Sequence, residues 1–295
     1  DVCSSDLNST INKKKLTGII FCRACCTLGI IIYHYFCHSK GKFKLLYNSA
    51  NSSYGFMFVT SFFNISGVVL YYNYPKIKSL KLFYYKRWKS IFPSFYLCYI
   101  YFFMSNSLRL HRIFFKGRLS LLFITILGLD GYFLYKIRTC YIIGEWFLGA
   151  IIIIYLIYPF LLYLINKNYI ISTLLLLFLN IFMYGTDFFV INKERNMITC
   201  ITSFYFGIST IKFSKFFFDN NINFIFSIIS LIFLCNYKLN IFVLIHQIQG
   251  FALFIVLTKI GKIVMRYKFN EIIYVIDNLS FSIYLIHHKI GGAHV

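Results

Sequence analysis

Arg23 and His34 are the two residues of this 295-residue chain whose types and spacing best suit chemistry. They lie eleven positions apart (34 − 23) within one apolar run. At 3.6 residues per turn that is about 3.1 turns, so in a helix both project from nearly one face, roughly 16 Å apart. An imidazole titrates near neutral pH and serves as a general base. A guanidinium in an apolar setting binds anions or steadies developing negative charge. Burying arginine in a bilayer costs about 2.5–3.5 kcal/mol on insertion scales, which makes it a functional hypothesis by default. The alternative is a snorkelling Arg23 with an interfacial His34.

The second chemical grouping is the basic cluster Lys76, Lys78, Lys81, Lys86, Arg87 and Lys89. Its density suits phosphate oxygens at a membrane surface, and it equally suits ordinary positive-inside topology. Glu145 stands beside Trp146 in an otherwise apolar stretch, where a carboxylate orients His34, pairs with an arginine or caps a helix. Asp130-Gly131 reads as a tight turn. His287 and His288 close the last apolar window without a ligand partner at helical spacing and read as structural. His246, Asp187 and His111 have no companions in the sequence. The nine cysteines are odd in number and mostly fall inside apolar windows, so no disulfide framework is implied. Cys22, Cys25 and Cys26 would need further ligands to hold a soft metal and read as small apolar fillers. No Gly-rich phosphate loop, metal-ligand cluster or serine-nucleophile elbow is visible.

The elements that must position these residues follow from composition. The chain is 59% hydrophobic, 21% aromatic and only 13% charged, with a mean hydropathy of +0.70. Soluble domains are roughly 45–50% apolar, so most of this chain has lipid as its solvent. Lipid cannot satisfy backbone polar groups, which leaves helices or a closed barrel, and runs such as 174–182 show no period-2 alternation. The expected architecture is all-α and polytopic, with about ten transmembrane helices at 16–37, 54–74, 91–107, 119–134, 141–165, 169–190, 197–211, 222–235, 240–258 and 271–289. Their short connections and the absence of a Pro/Gly/Ser-rich linker predict one membrane domain over 8–289. The formal net charge of +21 sits singly in loops beside these spans, which points to anionic lipid headgroups rather than nucleic acid. Lys13, Lys14 and Lys15, together with the 76–89 cluster, place the amino end inside. By parity Arg109, Arg112, Lys116 and Arg118 then fall outside, and the rule stops discriminating.

The two ends read as foreign. Residues 1–7, Asp-Val-Cys-Ser-Ser-Asp-Leu, match one reading frame of a short-read sequencing adapter. Residues 290–295 differ by one residue from a frame of its reverse complement. Both are expected to lie outside the fold.

The first span, FCRACCTLGIIIYHYF at 21–36, resembles the Arg-x10-His signature of the membrane acyltransferase family 3, the acyltransferase 3 or O-acetyltransferase family. The likeness continues in family order. FFNISGVVLYYNY at 62–74 is similar to the second helix, FYYKRWKSIFPSFYL at 83–97 to the basic loop entering the third, and 128–164 to the Gly-Glu-Trp segment of a bacterial polysaccharide-modifying branch. LSFSIYLIHH at 279–288 resembles the closing helix. The resemblance implies an acyl-CoA-dependent O-acyltransferase, with acetyl-CoA the expected co-substrate and no metal, acting on a sugar hydroxyl of a surface polysaccharide or its lipid-linked precursor. It implies a multi-pass protein of the bacterial plasma membrane, with His34 and Arg23 as the catalytic pair, Glu145 lining the site, and Arg87 with Lys86 and Lys89 meeting the coenzyme. Many members have a second arginine three residues after the first, where this chain has Ser90. The residues alone also fit a flippase or exporter of lipid-linked sugars. A glycan polymerase would carry a large extracytoplasmic loop that this sequence lacks.

Overall fold

Runs of leucine, isoleucine and phenylalanine without alternation close their own backbone hydrogen bonds locally, and the chain is accordingly helical. The computed structural model describes residues 2–38, 47–48, 52–111, 119–137, 146–236, 242–266 and 270–290. The helices are α1 (Val2–His38), α2 (Gly55–Asn73), α3 (Leu80–Leu110), α4 (Leu122–Ile126), α5 (Asp130–Phe133), α6 (Trp146–Lys167), α7 (Tyr169–Gly185), α8 (Met197–Lys212), α9 (Asn221–Asn236), α10 (Phe242–Val264) and α11 (Asn270–Ile290). The extended structure among the described residues is one two-residue antiparallel pairing, Tyr47 with Ser53 and Asn48 with Ser52.

Among the described residues, four helical segments are long and apolar enough to cross a membrane: Leu16–Tyr35, Gly55–Asn73, Trp146–Lys167 and Leu244–Val264. They match four of the expected spans. The helices α7, α8 and α9 are shorter, at 17, 16 and 16 residues, and α11 carries Glu271 and Asp277. Large apolar side chains on α6, α7 and α9, such as Phe160, Phe178, Ile181, Phe226 and Ile229, are exposed. Water-soluble monomers rarely leave so broad an apolar surface open, and lipid accounts for it.

Two expectations change. The span expected at 119–134 is broken into a 3-10 turn at Leu119–Leu121 and the short α4 and α5. Gly128 adopts φ +69, its N–H donates to Thr125 O, and Leu129 N–H donates to Ile124 O. That is a helix-terminating motif whose left-handed position favours glycine. Asp130 and Gly131, expected as a tight turn, instead open α5, where Asp130 Oδ1 accepts from Gly131 N–H at 2.9 Å; the turn itself lies just before them at Gly128. The basic segment is the second change. Much of it is helix rather than loop, because Ser79 caps α3 by accepting from Leu82 N–H. Lys81, Lys86, Arg87 and Lys89 therefore occupy the opening turns of a 31-residue helix that also contains the expected span 91–107. At 1.5 Å per residue α3 is about 46 Å long, longer than the roughly 30 Å hydrocarbon core.

The chain divides into two compact units, one of residues 1–73, 203–283 and 291–295, the other of 74–202 and 284–290. In the first, Ile19, Cys22, Cys26, Ile65, Val68 and Phe254 form a buried core. Cys22 and Cys26 are thus apolar packing residues there, as expected. The helices approach at glycines. A side chain on Gly67 would meet the Phe204 carbonyl, and one on Gly207 would meet the Asn64 backbone. Gly18 likewise faces Thr258 and lies against Gly261. Small residues at such crossings let backbones approach where lipid offers no hydrophobic drive. Gly207→Leu is therefore expected to destabilise the first unit by about 1–3 kcal/mol, read as a lower unfolding midpoint in detergent. Gly185→Leu, where nothing lies within 4 Å, serves as its control. Equal midpoints for the two variants would show that the crossing tolerates a side chain.

Candidate functional site

Arg23 sits on α1, an uninterrupted helix, so the eleven-residue spacing to His34 holds as three turns of one face. The chain supplies Arg23 with a partner that the sequence reading missed. Arg23 Nη1 lies 3.2 Å from Asp277 Oδ1 and 3.4 Å from Oδ2. Asp277 belongs to α11 and is 254 positions away in sequence. A single guanidinium nitrogen faces both carboxylate oxygens, so the contact is not the bidentate fork in which two nitrogens pair with two oxygens. Asp277 is buried and Arg23 partly so, with side-chain exposures of 9% and 28%. Thr27 Oγ1 donates to the Arg23 carbonyl at 2.9 Å, so its hydroxyl is satisfied within α1.

His34 is half-buried, and its ring meets the edge of Tyr33 at 5.2 Å between centroids. Tyr33 in turn packs where Gly55 opens α2. The imidazole and the guanidinium are too far apart to act on one atom. They suit two ends of a reacting group: a base at one and a fixed cation at the other.

Arg87, in the second unit, is more closely held than its neighbours. Its guanidinium lies over the Tyr74 ring at 5.0 Å and the Tyr155 ring at 5.9 Å, and Nη2 donates to the Tyr74 hydroxyl at 3.3 Å. The cage is itself anchored. Tyr158 Oη donates to the Tyr74 carbonyl, and Tyr84 Oη donates to the Leu156 carbonyl. Arg87 Nε is buried without a hydrogen-bond partner, so a donor of this cation is still to be satisfied. Lys86 and Lys89, expected beside it, are exposed. Neither Tyr74 nor Tyr155 was singled out from the sequence.

Glu145 lies outside the described residues. Trp146, next to it, opens α6 with Arg195 over its ring at 5.6 Å. His287 is buried, with Nδ1 2.6 Å from the Tyr284 carbonyl on the same helix, in keeping with a structural role. His246 is buried on α10. His111 caps α3 with φ +51, and Asp187 is an exposed partner of Lys193 at 3.2 Å. Among the described residues no three of His, Cys, Asp and Glu are grouped to hold a metal.

The first unit holds His34 and a carboxylate-held Arg23 on α1. The second holds, separately, an arginine caged by two tyrosine rings, with exposed lysines on the same helix. No family model, no curated protein and no solved structure matches the chain.

Proposed function

We propose that the chain is an acyl-CoA-dependent O-acyltransferase of the acyltransferase 3 type, an acetyltransferase in the first instance, acting on a sugar hydroxyl of a surface polysaccharide or its lipid-linked precursor. It crosses the bacterial plasma membrane about ten times, with the shorter helices tilted or paired. The observation that carries the reading is the Arg23–Asp277 ion pair, whose arginine shares a face of α1 with His34. A charge held at that depth costs kilocalories unless it is used or compensated, and the pair keeps the cation in place without consuming all of its donors. Acyl-CoA supplies an activated thioester acyl group. His34 accepts the proton of the acceptor hydroxyl, Arg23 presents fixed positive charge at membrane depth, and the resemblance adds Glu145 to the lining.

The residues present fit the phosphates of such a co-substrate. Arg87 is held against Tyr74 and Tyr155, Lys86 and Lys89 are exposed on the same helix, and a caged arginine loses little freedom on binding. Neutralising Lys86, Arg87 and Lys89 together is expected to weaken coenzyme binding in a salt-sensitive way. Coenzyme affinity measured beside a reporter of α3 sidedness checks this, and normal affinity with altered topology would remove the phosphate role.

A flippase or exporter of lipid-linked sugars would also use a buried ion pair. The enzyme reading is tested by incubating the protein in proteoliposomes with labelled acyl-CoA and a sugar acceptor. Label transferred to the acceptor supports it, and acceptor movement that is independent of acyl-CoA, without label transfer, supports transport instead.

A further inference from the structure

Lys81, Tyr85, Trp88 and Phe92 recur at i, i+4, i+7 and i+11 on α3 and so share one face. The rings run nearly parallel. Tyr85 and Trp88 stand 6.5 Å apart with 20° between their planes, and Trp88 and Phe92 stand 6.3 Å apart with 18°. Tyr85 and Trp88 are both about half exposed, at 56% and 47%. They form a run of near-parallel rings on an exposed helix face, with the exposed Lys81 on the same face and the exposed Lys89 beside it.

The charge around this strip has no counterpart nearby in the chain. No acidic residue occurs between Asp6 and Asp130. Among the described residues the ion pairs engage Arg23, Lys193 and Lys262, and none engages these lysines or Arg87. An anion is therefore the complementary partner. A headgroup phosphate needs the cations alone, whereas an exposed run of parallel rings also matches a planar heterocycle, because every nucleobase has a π face.

We propose that Tyr85 and Trp88 form a purine-stacking platform for the adenine-nucleotide end of an acyl-CoA, with Lys81 and Lys89, four residues to either side of Tyr85, meeting its phosphates. The assignment rests on the coenzyme-dependent reading above and deepens it by naming the part of the co-substrate that α3 recognises.

The chain has two tryptophans, Trp88 and Trp146, which makes the platform observable. In Trp146→Phe protein held in phosphatidylcholine nanodiscs, adenosine 3′,5′-bisphosphate is expected to quench Trp88 emission saturably, and pyrophosphate at equal concentration is not. By calorimetry, Trp88→Leu weakens the bisphosphate about tenfold and leaves pyrophosphate unchanged, while Trp88→Tyr restores most of the affinity. Lys81→Gln with Lys89→Gln weakens both ligands. The proposal is overturned if the bisphosphate does not bind saturably. It is equally overturned if Trp88→Leu reduces both ligands alike, or if the substitution alters only association with phosphatidylglycerol discs, which would make the strip an interfacial lipid anchor. Bisphosphate binding by a protein that transfers no acyl group would sink the enzyme reading and leave the platform. Acyl transfer with an unchanged KM for acyl-CoA in Trp88→Leu would sink the platform and leave the enzyme.

Discussion

His34→Ala is expected to lower acyl transfer by about 10²- to 10⁴-fold, the range a positioned general base contributes, while membrane insertion and yield stay near those of the parent. The imidazole projects from α1 about three turns from Arg23, half-buried against Tyr33. Its loss removes a proton acceptor but leaves the core of the first unit intact, because that core joins Ile19, Cys22 and Cys26 of α1 to Ile65, Val68 and Phe254 and does not include His34. A histidine that only packed would behave in the opposite way, reducing the amount of folded protein without changing turnover by the molecules that remain. Labelled acyl-CoA with a sugar acceptor, scored per folded molecule, separates the two. Turnover at the parent rate in His34→Ala would remove this residue as the base.

Asp277→Ala is expected to destabilise the first unit by about 3–5 kcal/mol, the usual consequence of leaving one member of a buried ion pair alone. Arg23 retains 28% of its side-chain exposure, so the effect belongs toward the lower end of that range. A native protein holds only about 5–15 kcal/mol in all, so even the lower figure would show as a large fall in the unfolding midpoint and in folded yield. The partner experiment is the double substitution Arg23→Leu with Asp277→Leu. It removes both charges, leaves no uncompensated cation in lipid, and is expected to recover most of the lost stability. Under the function proposed here it recovers no activity, since the cation is gone. A single Asp277→Ala protein with the parent's midpoint would show that the contact contributes nothing to the fold.

Much of the helical framework was legible because helix formation is local. The expected spans 54–74, 141–165, 197–211 and 222–235 end within a few residues of α2, α6, α8 and α9 on at least one side. Each is an apolar run whose backbone groups are satisfied within the run itself. The break at Gly128 was written in local chemistry too, as two glycines flanking Leu129-Asp130, but the apolar content of 119–134 outweighed it in a reading based on hydropathy. The start of α3 was missed for a related reason. A dense run of lysines looks like a loop, whereas Ser79 at the cap and a helix longer than the hydrocarbon core allow those lysines to sit on helix in the interface.

Sequence alone determined that Arg23 and His34 share a face, because eleven residues make three turns in any α-helix. It also marked the 76–89 segment as strongly basic and free of acid. The tertiary structure decided what those residues meet. Asp277 reaches Arg23 across 254 positions, and Tyr155 of α6 closes the cage over Arg87 of α3. Glycines 67 and 207 set how closely α2 and α8 cross. Spacing along a chain fixes the direction of a side chain on its own helix, but which helix lies opposite depends on packing among all of them, and no local pattern carries that information.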